Sequence, residues 1–163
     1  MNRHQIDHPS GQKLTVYEVP GPSDDAPTII LLHGLGASFL LNWKPVLASM
    51  ARDYRILGVD HRGHSRGLDS KTCRFEDCAD DVATAIDAMG IKSATLAGYS
   101  MGGAIALQVW KRHPGKVNGI LLTATASSLT HLRTARYYLA LPLLLLVSMF
   151  YALAREAYFL PRR

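Results

Sequence analysis

The chain reads as an α/β fold: a mostly parallel sheet with helices on both faces. Two observations predict it. Short apolar runs, several rich in β-branched residues, alternate with stretches of helical periodicity in a βαβαβαβ order, the pattern of helices crossing over a parallel sheet. Each strand-like run also halts at a cluster of Gly, His, Asp or Ser, and in an open parallel sheet such strand ends share one edge. A length of 163 residues suffices for one domain with its own core, and 48% apolar with 19% charged residues is ordinary globular composition, not that of a disordered chain.

Taken in order, residues 12–19 alternate moderately and read as a strand, stopped by Pro20-Gly21-Pro22. Thr28–Leu32 is continuously apolar, as expected of a strand buried on both faces, and stops at His33-Gly34-Leu35-Gly36. Residues 38–50 have helical composition, but Pro45 argues that their first part is loop or broken helix. Residues 54–59 form the next strand, ending at Asp60-His61-Arg62-Gly63-His64-Ser65-Arg66-Gly67, where Asp60 and Arg62 are most simply a local ion pair. Phe75, Cys78, Val82, Ile86 and Met89 then recur at helical spacing. Glu76 and Asp77 fill the first turn and Gly90 stands just past the end. Cys78 falls on the apolar face and reads as a small core residue. Residues 117–124 are a further strand.

Between the last two lies the stretch that organises the rest. An apolar β-prone run, residues 94–97, meets Gly98-Tyr99-Ser100-Met101-Gly102, and a helix-prone run over residues 103–113 follows, closed by Lys111-Arg112-His113 and Pro114-Gly115. A turn this tight demands unusual torsions at Ser100, and Gly98 and Gly102 make room by presenting no Cβ. The hydroxyl is pushed out at the carboxyl edge of the sheet. The amide of Met101 sits at a helix N-terminus, where an unpaired N–H and the helix dipole favour developing negative charge. A Gly-x-Ser-x-Gly pentapeptide arises by chance in roughly one chain in twenty of this length, so alone it does not separate a nucleophile from a serine that caps its helix.

Charge and cysteine usage exclude several classes. The formal charge is +5, but residues 1–130 hold 13 basic and 12 acidic side chains, while residues 131–163 hold five arginines against Glu156. The basicity belongs to the tail, and no basic patch interleaved with aromatics suggests nucleic acid. Cys73 and Cys78 are too few for a disulfide framework and lack a partner pair for zinc, so no metal is expected. No cofactor is expected either: no Gly-x-Gly-x-x-Gly opens a helix, and the glycine spacing around Ser100 is wrong for a dinucleotide. The first eight residues hold no apolar core of a signal peptide, which makes a cytoplasmic location the default.

His33-Gly34-Leu35-Gly36 after one strand, Asp60-His61-Arg62-Gly63-His64 after the next, and Gly98-Tyr99-Ser100-Met101-Gly102-Gly103 after a third together resemble the α/β-hydrolase fold superfamily, in its serine esterase and lipase-like branch. The likeness covers roughly residues 12–130, which would be a partial hydrolase core over 1–130. It implies Ser100 as nucleophile, backbone amides of Leu35 and Met101 as the oxyanion hole, and His33, Gly34, Gly36, Gly98 and Gly102 as residues that shape the site. A serine here argues against the epoxide and dehalogenation branches, which use aspartate. The loop after Asp60 departs slightly, with Gly63-His64-Ser65-Arg66-Gly67 where the family often has Gly-His-Gly-x-Ser.

The larger departure lies downstream. In this family the triad runs Ser, then Asp or Glu, then His. After Ser100 the chain holds no aspartate, one glutamate and two histidines. His113 closes the helix that Ser100 opens, about 20 Å away, and cannot be the base. His131 follows the last strand and is the one candidate base, although an ordinary loop histidine is the simpler reading. The expectation is therefore a C-terminally truncated hydrolase whose usual acid and base lie beyond this sequence.

Residues 137–154 carry no charge and lie between Arg136 and Arg155. Pro142 interrupts them, and they fall just short of the ~20 residues of a spanning helix. The resemblance implies a helical cap or lid over 131–163. Peripheral attachment to an anionic membrane surface is the alternative. Two functions follow as expectations: hydrolysis of a small ester or lipid-like substrate by acyl transfer, or a non-catalytic hydrolase-like module that binds a lipid or other small ligand. If the chain stops at Arg163, the strand at 117–124 is an exposed sheet edge open to self-association.

Overall fold

The computed structural model describes residues 1–125 and, beyond them, Leu146 alone. The chain divides into two units, Met1–Ala126 and Ser127–Arg163, and the sheet belongs to the first. Leu146 apart, the expected cap over 131–163 and the apolar run 137–154 lie outside the described residues, as does His131.

Among the described residues six strands form one sheet: β1 (Asn2–Asp7), β2 (Lys13–Val19), β3 (Thr28–Leu32), β4 (Arg55–Val59), β5 (Ala94–Tyr99) and β6 (Val117–Thr123), in the order β1-β2-β4-β3-β5-β6. The pairs β4–β3, β3–β5 and β5–β6 are parallel, and β1–β2 and β2–β4 are antiparallel. Three helices connect them: α1 (Phe39–Met50), α2 (Phe75–Ala88) and α3 (Met101–Arg112).

Alternation along the strands explains why both faces are covered. Ile30 and Leu32 of β3, Leu57 and Val59 of β4 and Leu96 of β5 face one layer, where Cys78, Val82 and Ile86 of α2 and Ile105 and Val109 of α3 close over them. Ile29, Leu31, Ile56 and Ala97 face the other, beneath Phe39 and Leu47 of α1. Gly58 of β4 is required on that side, because a Cβ there would lie inside the Phe39 ring, 2.6 Å from its Cγ.

One expectation needs correction, and one strand was not expected. Pro45 does not break α1, which runs unbroken from its Ser38 cap; the Ser38 hydroxyl accepts from the Leu41 amide at 3.1 Å. Pro45 is exposed on the outer side while Phe39 and Leu47 are buried, so packing outweighs a propensity penalty of about 3 kcal/mol. The sheet also has a strand that no sequence pattern announced. Asn2–Asp7 is polar except for Ile6, and it is a strand because β2 offers a free edge along Lys13–Val19.

Register positions the site. Leu32 pairs with Val59 on one side and Gly98 on the other, and Gly98 pairs with Leu122. One step past that line His33 and Asp60 leave the sheet, while Tyr99 makes the last pair of β5 and Ser100 follows it.

Candidate active site

Ser100 is the first residue after β5 and the N-cap of α3, with φ 52° and ψ −116°. A non-glycine residue there is strained by roughly 1–3 kcal/mol. Its hydroxyl makes no capping hydrogen bond to the helix. The reading in which Ser100 serves merely as a cap is thereby removed. Three hydrogen bonds over-determine the turn: Ser100 N donates to Thr123 O at 2.9 Å, Gly103 N donates to Ser100 O at 3.0 Å, and the Thr123 side-chain Oγ1 donates to Gly98 O at 3.1 Å.

The glycines allow close approach. A Cβ on Gly98 would lie 2.5 Å from the backbone of Gly102 and Gly103, so strand and helix could not fold back on each other. On Gly102 it would lie 2.6 Å from the carbonyl carbon of Leu32 and 2.8 Å from His33 O, so the first turn of α3 rests against the end of β3. On Gly34 it would lie 3.1 Å from the Tyr99 ring and 3.4 Å from Ser100 Cβ. The loop after β3 thus sits directly beside the serine. Gly36, at φ 67°, turns that loop back, with Ala37 N donating to Gly34 O at 3.3 Å.

The loop is held from beneath. His33 is fully buried; its Nδ1–H donates to Gly34 O at 2.8 Å, and its Nε2 accepts from His61 N at 2.9 Å. Those bonds define a neutral tautomer, and burial pushes its pKa below the ordinary histidine value. Asn42, one turn into α1, accepts from Gly34 N at 2.8 Å. Among the described residues no acceptor is bonded to the amide of Leu35 or of Met101. Leu35, the neighbour of Gly34 in the chain, and Tyr99, the neighbour of Ser100, are large side chains left 59% and 42% exposed.

The loop after β4 corrects another expectation. Asp60 and Arg62 do not pair. Asp60, buried, accepts from Phe39 N at 2.7 Å, Arg66 N at 3.2 Å and the Tyr17 hydroxyl at 3.3 Å, which fastens the start of α1 to the end of β4. Arg62 instead forks onto Asp81 of α2 at 2.6 and 2.9 Å and reaches Asp77 at 3.3 Å. His61, 1% exposed, has both ring nitrogens without a partner among the described residues, and its ring lies 4.4 Å from that of His33. Burial, then the neighbouring His33, holds its pKa well below the usual range. Among the described residues no three His, Cys, Asp or Glu side chains are disposed to hold a metal.

His113 lies at the far end of α3, with Nε2 2.8 Å from Asp80 Oδ1, remote from Ser100. Asn42, Asp81 and Thr123 support the site, and sequence reasoning missed them; each sits in an ordinary element, and only the tertiary contact reveals the role.

A family model for the alpha/beta hydrolase fold matches residues 27–156. The chain belongs to the alpha/beta hydrolase fold family. Curated relatives agree: this hydrolase-fold chain is 32% identical over 102 residues to 3-oxoadipate enol-lactonase 1 of Acinetobacter baylyi, covering 63% of this chain and 37% of that one. It is 38% identical over 88 residues to 2-succinyl-6-hydroxy-2,4-cyclohexadiene-1-carboxylate synthase of Yersinia enterocolitica, covering 54% and 31%. Among solved structures, Est816, described as an N-acyl homoserine lactone degrading enzyme, superposes with a TM-score of 0.61 at 29% identity, over 69% of this chain and 42% of that one. The chain spans about two fifths of the length of the relatives it matches. Among the described residues no helix is long and apolar enough to cross a membrane.

Proposed function

We propose that Ser100 is the nucleophile of a serine hydrolase acting on carboxylic esters or lactones by acyl transfer. The observation that carries the reading is a strained serine, φ 52°, whose hydroxyl is not spent on capping the helix it begins. Ser100 Oγ attacks the carbonyl carbon, and the oxyanion that forms is met by the amides of Leu35 and Met101. Each such donor is worth about 10²–10³ in rate. The alcohol leaves with a proton, and water then releases the acid from the serine. Leu35 and Tyr99 favour an apolar acyl group, in keeping with the lactones named for two relatives.

A serine hydroxyl is a weak nucleophile until a base takes its proton. In this reading the acid and base come from outside residues 1–125, with His131 the candidate base within the chain. Hydrolysis of p-nitrophenyl acetate and octanoate tests the assignment. Ser100→Ala is expected to lower turnover at least about a thousandfold with circular dichroism unchanged; an undiminished rate contradicts it. His131→Ala reports whether the base is local.

A second reading, a ligand-binding module without turnover, draws support from the histidines near the site. His33 is committed to Gly34 and His61, and His64 Nδ1 lies 3.1 Å from Arg62 O. It predicts saturable binding of octanoate, equal in Ser100→Ala, and no ester hydrolysis. A peripheral membrane role for 137–154 belongs to either reading, and vesicle sedimentation with anionic lipid tests it.

A further inference from the structure

Cys73 and Cys78 are the two cysteines of the chain. Arg74 is the N-cap of α2, so Cys73 stands just before the cap and Cys78 at the fourth helical position. Those two positions meet in a hydrophobic staple, which sets the angle at which a chain enters its helix. Here both members are thiols, with Sγ atoms 3.4 Å apart. Arg74 makes no side-chain cap, which leaves the staple and the bond from Cys78 N to Arg74 O at 3.0 Å to define the entry. Cys78 is buried in the layer with Val82 and Ile86, and Cys73 is half-buried at its rim.

One reachable thiol with a second directly behind it is the arrangement of a redox pair, in which the first is attacked and the second resolves. We propose that Cys73 and Cys78 form an intramolecular thiol–disulfide site oxidised by small disulfides of the glutathione type. Closing 3.4 Å to a bonded S–S separation requires the sulfurs to approach by about 1.4 Å, within reach of side-chain rotation. The Cys73 thiolate attacks one sulfur of oxidised glutathione, forming a mixed disulfide and releasing one glutathione thiolate. Cys78 then gives its proton to solvent, and its thiolate displaces the second glutathione from Cys73. Two protein thiols lose two electrons in all, and one oxidised glutathione becomes two reduced ones. The bond tightens the start of α2, whose Asp77 and Asp81 hold Arg62 in the loop that follows β4.

Trypsin reads the result directly, because Arg74 lies between the cysteines. The folded 163-residue chain is incubated with oxidised glutathione, alkylated with iodoacetamide and weighed intact and after digestion. The expected product is about 2 Da lighter, takes up no alkyl group, is restored by dithiothreitol, and yields peptides 72–74 and 75–92 as one disulfide-linked ion. Cys78→Ser should stop at a stable glutathione adduct on Cys73, and Cys73→Ser should stay unmodified while folded. Two alkylated cysteines, a wild-type chain arrested at the mixed disulfide, or disulfide-linked dimers in place of the internal bond would each overturn the proposal.

Discussion

Ser100 carries backbone strain that glycine would not. At φ 52° and ψ −116° its Cβ crowds its own backbone, and the bonds to Thr123 O and from Gly103 N hold it there. Ser100→Gly should therefore raise stability by about 1 kcal/mol, since relief of strain exceeds the entropy a glycine adds to the unfolded chain. Thermal melting of the two proteins checks this; a lower midpoint for the glycine variant contradicts a strained turn. The pentapeptide around Ser100 was legible as a turn, but whether its hydroxyl caps the helix was not. That depends on where the side chain points once the backbone torsion is set.

At the scale of elements, the site exists because α3 packs onto the end of β3 through a bare backbone. The Cβ of Gly102→Ala would press on the Leu32 and His33 carbonyls, which cannot move without breaking the β3–β5 ladder. The Cβ of Gly103→Ala would lie 2.6 Å from Thr125 Cβ, which no side-chain rotation can move, but Thr125 stands past the end of β6 and its backbone can give. Gly102→Ala is expected to cost about 3 kcal/mol and Gly103→Ala less, because a loop can shift where a ladder cannot, as urea midpoints would show. Equal costs would mean that helix and strand do not meet closely at Gly102. The same tertiary logic explains what the sequence concealed. Thr28–Leu32 declared itself because every residue after Thr28 is apolar, as a strand covered on both faces must be. Asn2–Asp7 did not, because an edge strand needs only a partner's hydrogen-bonding row, and a mere two of its residues, His4 and Ile6, are half-buried. Asp60 and Arg62 are near in sequence with opposite charge, which suggested a pair. A helix N-terminus and Tyr17 claim Asp60, while Asp81, 19 residues on, claims Arg62.

For the molecule as a whole, two neutral buried imidazoles make folding sensitive to acid. His33 and His61 both titrate below their ordinary 6.5 when folded, so between that value and the lowered ones the unfolded chain binds more protons. Their contribution to stability is complete above pH 6.5 and is lost as pH falls through that window. Glu18 and Asp80, whose carboxyl pKa values are also lowered, give up theirs only at more acid pH, below their ordinary 4.5 and 3.8. Urea midpoints should fall between pH 7.5 and 5.5, and His61→Leu should flatten that slope while leaving neutral-pH stability equal or higher, because it removes two buried nitrogens without partners. A slope unchanged in His61→Leu would place the acid sensitivity elsewhere.

The most direct measurement is the position of a covalent adduct. An alkyl fluorophosphonate loses fluoride to whichever hydroxyl the protein activates, leaving on it a tetrahedral phosphorus whose phosphoryl oxygen stands in for the oxyanion, and peptide mapping locates it. The account predicts one adduct per chain, on Ser100 within tryptic peptide 93–111, absent from Ser100→Ala. Labelling of Tyr99 or any other residue instead, or ester turnover that leaves Ser100 unlabelled, would contradict it.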